Sequence, residues 1–138
     1  MNATKPPISR RAQLLVIIIL IAFHAGTAMA AQIFGVDAAN NLVRFDSAAP
    51  GTIKTTQPIQ GLAAGETILG MDFRPQDAAL FVLGSTNRLY IIDYVSDPST
   101  ATATPVGNSG SFTLNGTAFG FDFNPTVDRI RVVSNTDQ

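Results

Sequence analysis

The sequence predicts an all-β protein of repeated antiparallel units behind an N-terminal export signal. Three observations lead there. No segment after residue 31 carries a helical period; apolar residues alternate or come in short runs between Gly, Pro, Asn, Asp, Ser and Thr. The phrase GMDFRPQDAALFVLGSTN (Gly70–Asn87) returns fifty residues later as GFDFNPTVDRIRVVSNTD (Gly120–Asp137). The first 30 residues have the composition of a targeting segment.

That segment comes first in the chain. Lys5, Arg10 and Arg11 give a positive start, and Leu14 to Phe23 is an unbroken apolar run of ten. Ala28 and Ala30 stand at the small-residue positions that signal peptidase reads, so cleavage is expected after Ala30. Ten helical residues span roughly 15 Å, about half of a bilayer core, which favours a removable signal helix over an anchor. Ser9-Arg10-Arg11 hints at a twin-arginine signal, but Gln13 is polar and the core very apolar, so the general secretory route fits better. The expected location is the periplasm or the extracellular space, with membrane contact only through the uncleaved signal.

The expected domain is residues 31–138, one modest unit of 108 residues. Three of the nine Lys and Arg lie in the signal and all ten Asp and Glu lie beyond it, so the domain carries six minus ten, a net charge of −4. An acidic balance argues against a nucleic-acid partner. There is no cysteine, hence no disulfide and no lipid attachment through sulfur. The single histidine, His24, sits in the signal, so the domain has no His, Cys or Trp. Ser-His-Asp and Cys-His chemistry and His-ligated metals are thereby excluded, and no cofactor is expected.

The strands follow in order. IFGVDAANNLVRFD (Ile33–Asp46) aligns without a gap on LFVLGSTNRLYIID (Leu80–Asp93), and Asn40, Leu42 and Asp46 match Asn87, Leu89 and Asp93. Each of these stretches reads as two strands around a turn of Gly, Ser, Asn and Asp. A Thr-rich, strand-prone stretch follows each, Thr52–Thr56 and then Ala101–Val106. In Leu69–Phe73 the bulky Leu69, Met71 and Phe73 alternate with Gly70 and Asp72; in Phe119–Phe123 three phenylalanines alternate with Gly120 and Asp122. Both strands stop near Pro75 and Pro125, because proline cannot donate to the ladder. Ile130–Val133 repeats Leu80–Leu83.

The unit is therefore four strands long, with a period of 47 to 50 residues. Such a period predicts propeller-like antiparallel repeats. The 108 residues hold about two such blades, fewer than the about four to eight that close a propeller. The expectation is an incomplete array, a chain truncated at its C-terminus or part of something larger, with self-association as another way to cover open edges.

NLVRFD, GETILGMDFRP, LGSTNRLYIID and above all GTAFGFDFNPTVDRIRVVSN closely resemble the bacterial exported family called domain of unknown function 4394. The resemblance runs from about Ile33 to the last residue. It implies propeller-like architecture and usually a longer chain. The family has no established activity, so it implies no catalytic residues.

Several residues invite a functional reading. Asp72 and Asp122 are matched carboxylates, as in a glycosidase pair or an oxygen-rich calcium site. Their repetition with the strand favours a structural role, each accepting backbone N–H bonds, since a half-buried carboxylate must be paired. Phe73, Phe121 and Phe123 are expected in the core. Gly70 and Gly120 are expected to permit close backbone approach; Arg74-Pro75 and Asn124-Pro125 open turns. The expected structural motif is thus Gly70, Asp72, Phe73, Pro75 and Gly120, Asp122, Phe123, Pro125. Arg129 and Arg131 flank Ile130 and are read as lying on opposite faces, solvated or paired with Asp128 or Asp122. Glu66, the one glutamate, sits in the connector AAGET and is expected to be exposed. Asn115-Gly116-Thr117 matches a glycosylation acceptor, a motif frequent by chance.

The functional expectation is a non-enzymatic exported β-repeat module for binding or surface assembly. The alternative is an extracellular hydrolase or lyase that uses carboxylates on a propeller scaffold.

Overall fold

The structure, a computed structural model, describes residues 29–136. The signal helix, the apolar run and Ala28 lie outside the described residues; Ala30 lies just inside, exposed and outside any strand. Asp137 and Gln138 also lie outside.

Among the described residues there are nine strands and no helix: β1 (Gln32–Val36), β2 (Asn41–Asp46), β3 (Ala49–Gln60), β4 (Ile68–Phe73), β5 (Leu80–Gly84), β6 (Arg88–Asp93), β7 (Ala101–Val106), β8 (Phe119–Asn124) and β9 (Arg129–Ser134). Each expected strand is present. The Thr-rich stretch at 52–56 extends into the twelve-residue β3, which contains Pro50 and Pro58. Proline is tolerated there because the far edge of β3 pairs only at Ile59 and Gln60.

Local turn chemistry sets the hairpins. Asn40 and Asn87 each adopt φ 60, the left-handed conformation that asparagine accepts more readily than most residues. Ala78 and Asp128 correspond in sequence and share that region, at φ 57 and φ 50. Residues that match in sequence also match in register. Ile33 pairs Phe45 as Leu80 pairs Ile92, Gly70 pairs Leu83 as Gly120 pairs Val133, and Phe73 pairs Leu80 as Phe123 pairs Ile130. One difference is a register shift between Ile68 and Gly70 in β4, absent from β8.

Seven strands form one sheet in the order β1-β2-β3-β7-β6-β5-β4, and β8-β9 form a separate hairpin. The antiparallel runs β1-β2-β3 and β4-β5-β6-β7 meet through a parallel pair, Ile59↔Ala101 and Gln60↔Thr102. This parallel join departs from the purely antiparallel expectation. It links stretches that turn signals cannot relate. The sheet curls until its end strands face one another, with the Phe34 and Phe73 rings 5.1 Å apart, and so becomes nearly closed and barrel-like.

The core fills that curl. Leu42, Ile59, Leu80, Val82, Tyr90, Ile92, Ala101 and Ala103 are buried together, and Phe34, Met71, Phe73 and Tyr94 pack against them. Fully burying one such side chain contributes about 1.5–3 kcal/mol, so this cluster carries much of the stability. A second apolar layer lies on the opposite face of β5, where Phe81 meets Phe123 edge-on at 5.0 Å and Phe121 meets Phe123 at 6.2 Å.

Candidate functional site at the seams of the sheet

The repeated residues converge on two seams. One lies between β4 and β8. The alternation of β8 turns Phe121 and Phe123 toward the β4–β5 face. A Cβ built on Gly70 would lie 2.6 Å from Phe121 Cβ, so only glycine admits β8 at this distance. Asp72 then spans the seam: its Oδ1 accepts the Phe73 N–H at 2.9 Å and its Oδ2 accepts the Phe123 N–H at 2.8 Å. At the end of the same seam, Arg74 donates from Nε to Asp128 Oδ1 at 2.8 Å and from Nη2 to Asp128 Oδ2, a bidentate pair. That bond raises Arg74 further above its ordinary range and lowers Asp128. Arg74 also reaches Asp77 at 3.2 Å. Pro75 and Pro125 follow in the turns below.

The other seam joins the β1–β2 turn to the start of β4. Asn40 donates from Nδ2 to the Glu66 carbonyl at 2.8 Å, and its Oδ1 accepts the Ile68 N–H at 3.1 Å. Asn87, its sequence match, accepts the Leu114 N–H at 2.9 Å on the way to β8. A left-handed asparagine in each hairpin turn thus holds the connector that leads into the next repeated phrase.

Glu66 corrects the sequence expectation: it is buried at 6 % exposure. Its Oε1 accepts the Thr86 N–H at 2.7 Å; its Oε2 accepts the Thr86 hydroxyl at 2.7 Å and the Tyr90 hydroxyl at 2.8 Å. Burial pushes its pKa up, but these bonds outweigh that and leave it lowered. Tyr90 is raised, by burial first and by its bond to Glu66 second. The Tyr90 oxygen in turn accepts the Ala63 N–H at 3.2 Å. Gly84 makes room, since a Cβ there would stand 2.4 Å from Glu66 Oε1.

The corresponding place beside β8 is inverted. Gly116 stands at the position of Glu66 and Ser134 at that of Gly84. Here Asn135 reaches the other way, its Oδ1 accepting Thr117 N–H at 2.9 Å and Ala118 N–H at 3.2 Å.

The matched aspartates have different partners. Asp122 is exposed on the outer face of β8 and accepts Arg131 Nη2 at 2.7 Å. Arg129 and Arg131 share that exposed face, correcting their placement on opposite faces; residues two apart on a strand point the same way. Gly120 lies on this face as well, where an added Cβ would meet only the end of Val133, at 2.9 Å. Phe123 is buried, while Phe73 and Phe121 are half-buried.

The other described carboxylates are held in turns. Asp37, Asp46, Asp77, Asp93 and Asp97 each accept backbone N–H groups two to four residues ahead. Asp93 is lowered by the Ser96 side chain first and the Ser96 backbone N–H second, and Asp97 by the Ser99 side chain first and the Ser99 backbone N–H second. Among the described residues no group of three or more His, Cys, Asp or Glu could hold a metal ion. The chemistry at the seams is therefore recognition of backbone by side chain. Sequence reading missed Asn40, Asn87 and Arg74–Asp128 as seam residues; the one available signal was the return of asparagine after 47 residues in matching turns.

Strands that recur in register, joined by side chains that bridge from one recurrence to the next, define an all-β domain organised by its seams. The family model described as Domain of unknown function (DUF4394) matches residues 41–138, most of the described chain, and the protein belongs to that family. No curated protein and no solved structure matches it.

Proposed function

We propose that this domain is an exported, propeller-like scaffold of four-stranded blades that works by binding and assembly, not by catalysis. On this reading β1–β3 supply three strands of one blade, β4–β7 a whole blade, and β8–β9 the first two strands of the next. The observation that carries it is the bond from Phe123 N–H to Asp72 Oδ2 at 2.8 Å, which joins the first strands of successive blades through a repeated residue. The described carboxylates support the same reading, because they are engaged in turns, seams and ion pairs. Export rests on the sequence of residues 1–30.

Two measurements on the purified protein test this. Intact mass after expression of residues 1–138 in a bacterial host is expected to show exported chain beginning at Ala31. Uncleaved chain retained in the cytoplasm would refute export. A panel of polysaccharides is expected to give no turnover. Turnover that disappears in both Asp72→Asn and Asp122→Asn would favour a carboxylate-dependent hydrolase or lyase instead.

A further inference from the structure

We infer that the edge of β1 with which no described strand pairs is a receptor for an extended strand of a second polypeptide reading Gly-x-x-x-Gly-x-Asp-Phe. The inference rests on the blade reading above and adds the partner and its chemistry.

The β1–β2 hairpin corresponds to β5–β6 residue for residue, in the same register. β5 carries β4 on its other edge, and β9 carries β8. Among the described residues no strand pairs with the corresponding edge of β1. Unpaired strand edges recruit strands, and main-chain bonds supply affinity while side chains set specificity.

The repeat specifies the occupant. In the β4–β5 pair, Gly70 stands opposite Leu83, Asp72 opposite Phe81 and Phe73 opposite Leu80. Carried over to β1, the incoming glycine stands opposite Val36, the aspartate opposite Phe34 and the phenylalanine opposite Ile33. That aspartate reaches the Phe73 N–H, the counterpart of Phe123 N–H, which now donates to Asp72 Oδ1 at 2.9 Å. The glycine faces Met71, the counterpart of Phe121, and needs the same closeness that Gly70 shows.

The first glycine of the pattern comes from the inverted pair. Beside β5, Glu66 fits because position 84 is glycine. Beside β9, position 134 is serine, and a Cβ on Gly116 would lie 3.0 Å from its Cβ and 2.8 Å from Asn135 Oδ1. The β1–β2 turn carries Asp37 at this position, its carboxylate fixed by Ala39, Asn41 N–H and Asn41 Nδ2. A side chain stands there already, so the incoming strand requires glycine at the place beside it that Gly116 takes beside Ser134. A strand like Gly116–Phe123 fits, and one like Glu66–Phe73 does not.

The test uses the protein purified after expression of residues 1–138, with two fluorescent ten-residue peptides. One has the sequence of residues 115–124, NGTAFGFDFN; the other that of residues 65–74, GETILGMDFR. Anisotropy is expected to show saturable binding of the first, on the order of tenfold or more tighter than the second, as one clash or lost bond of about 1.4 kcal/mol gives. Replacing the first glycine of NGTAFGFDFN by glutamate is expected to remove that preference. Amide exchange is expected to slow in Ile33–Val36 when the peptide is bound. Equal binding of both peptides, no binding to a folded chain, or protection elsewhere would overturn the inference. Protection of the Phe123 amide in the peptide-free chain is scored separately. Its presence beside a failed peptide experiment leaves the blade reading standing and removes only the receptor edge.

Discussion

Asp72 Oδ2 and the backbone N–H of Phe123 are 2.8 Å apart, although the residues lie 51 positions from each other. The carboxylate holds two strands that share no ladder, β4 and β8. Its other oxygen is engaged by Phe73 of its own strand. Asp122, its repeat, is bound to Arg131 on an exposed face. The same residue in the same strand pattern therefore carries different weight at its two occurrences.

Asp72→Ala should destabilise the domain by about 1–3 kcal/mol, because it leaves the Phe123 amide unpaired at a part-buried seam. Asp122→Ala should leave the urea midpoint nearly unchanged, as exposed ion pairs contribute little. Parallel urea titrations of the two variants check this difference.

Phe123→Ala should cost about 3–5 kcal/mol, the range for removing a buried phenylalanine. It is 5 % exposed and sits edge-on to Phe81 and Phe121. Thermal melting monitored by circular dichroism reads the loss directly. A midpoint equal to that of the parent chain would mean the β8–β9 hairpin does not dock.

Much of the fold was legible because strands alternate with period two and stop at turn chemistry. Leu69–Phe73, Leu80–Leu83 and Ile130–Val133 all fall inside observed strands. The parallel join of β3 to β7 was not legible, since Ile59 and Ala101 are brought together by curvature of the sheet and by no local signal. Glu66 was misread for a related reason. Its connector looks solvent-exposed, while the donors that make its burial tolerable, Thr86 and Tyr90, come 20 and 24 residues later. Arg74 and Asp128, 54 apart, are hidden in the same way.

The inverted pair at positions 66 and 84 gives a rescue experiment. Gly84→Ser places a Cβ against Glu66, and overpacking of this kind typically costs about 1–3 kcal/mol. Glu66→Gly removes the acceptor for Thr86 and Tyr90. The double variant copies the arrangement of Gly116 and Ser134 and should be more stable than the sum of the two losses predicts. A double-mutant cycle from urea unfolding supplies the coupling, and strict additivity would contradict the geometry.

Acid should destabilise the domain. Glu66, Asp93, Asp97 and Asp128 all have lowered pKa values in the folded chain. Their contribution is present above the ordinary values of 4.5 for glutamate and 3.8 for aspartate, and it is lost as pH falls through the folded values. Tyr90 is raised from 10.0, so its contribution is present below that pH and is lost as pH rises through the folded value. Stability should therefore form a plateau that falls at both ends. Urea midpoints at about pH 3, 7 and 11 test the shape, and Glu66→Gln should flatten part of the acid limb.

Repeated phrases build the seams that join one recurrence of the strand pattern to the next. Native-state amide hydrogen exchange at Phe123 tests this most directly. That amide should be protected to a degree comparable with the amides of β5, and should lose its protection in Asp72→Ala while β5 and β6 remain protected. Rapid exchange at Phe123 in the unmodified chain, with β5 and β6 protected, would contradict it.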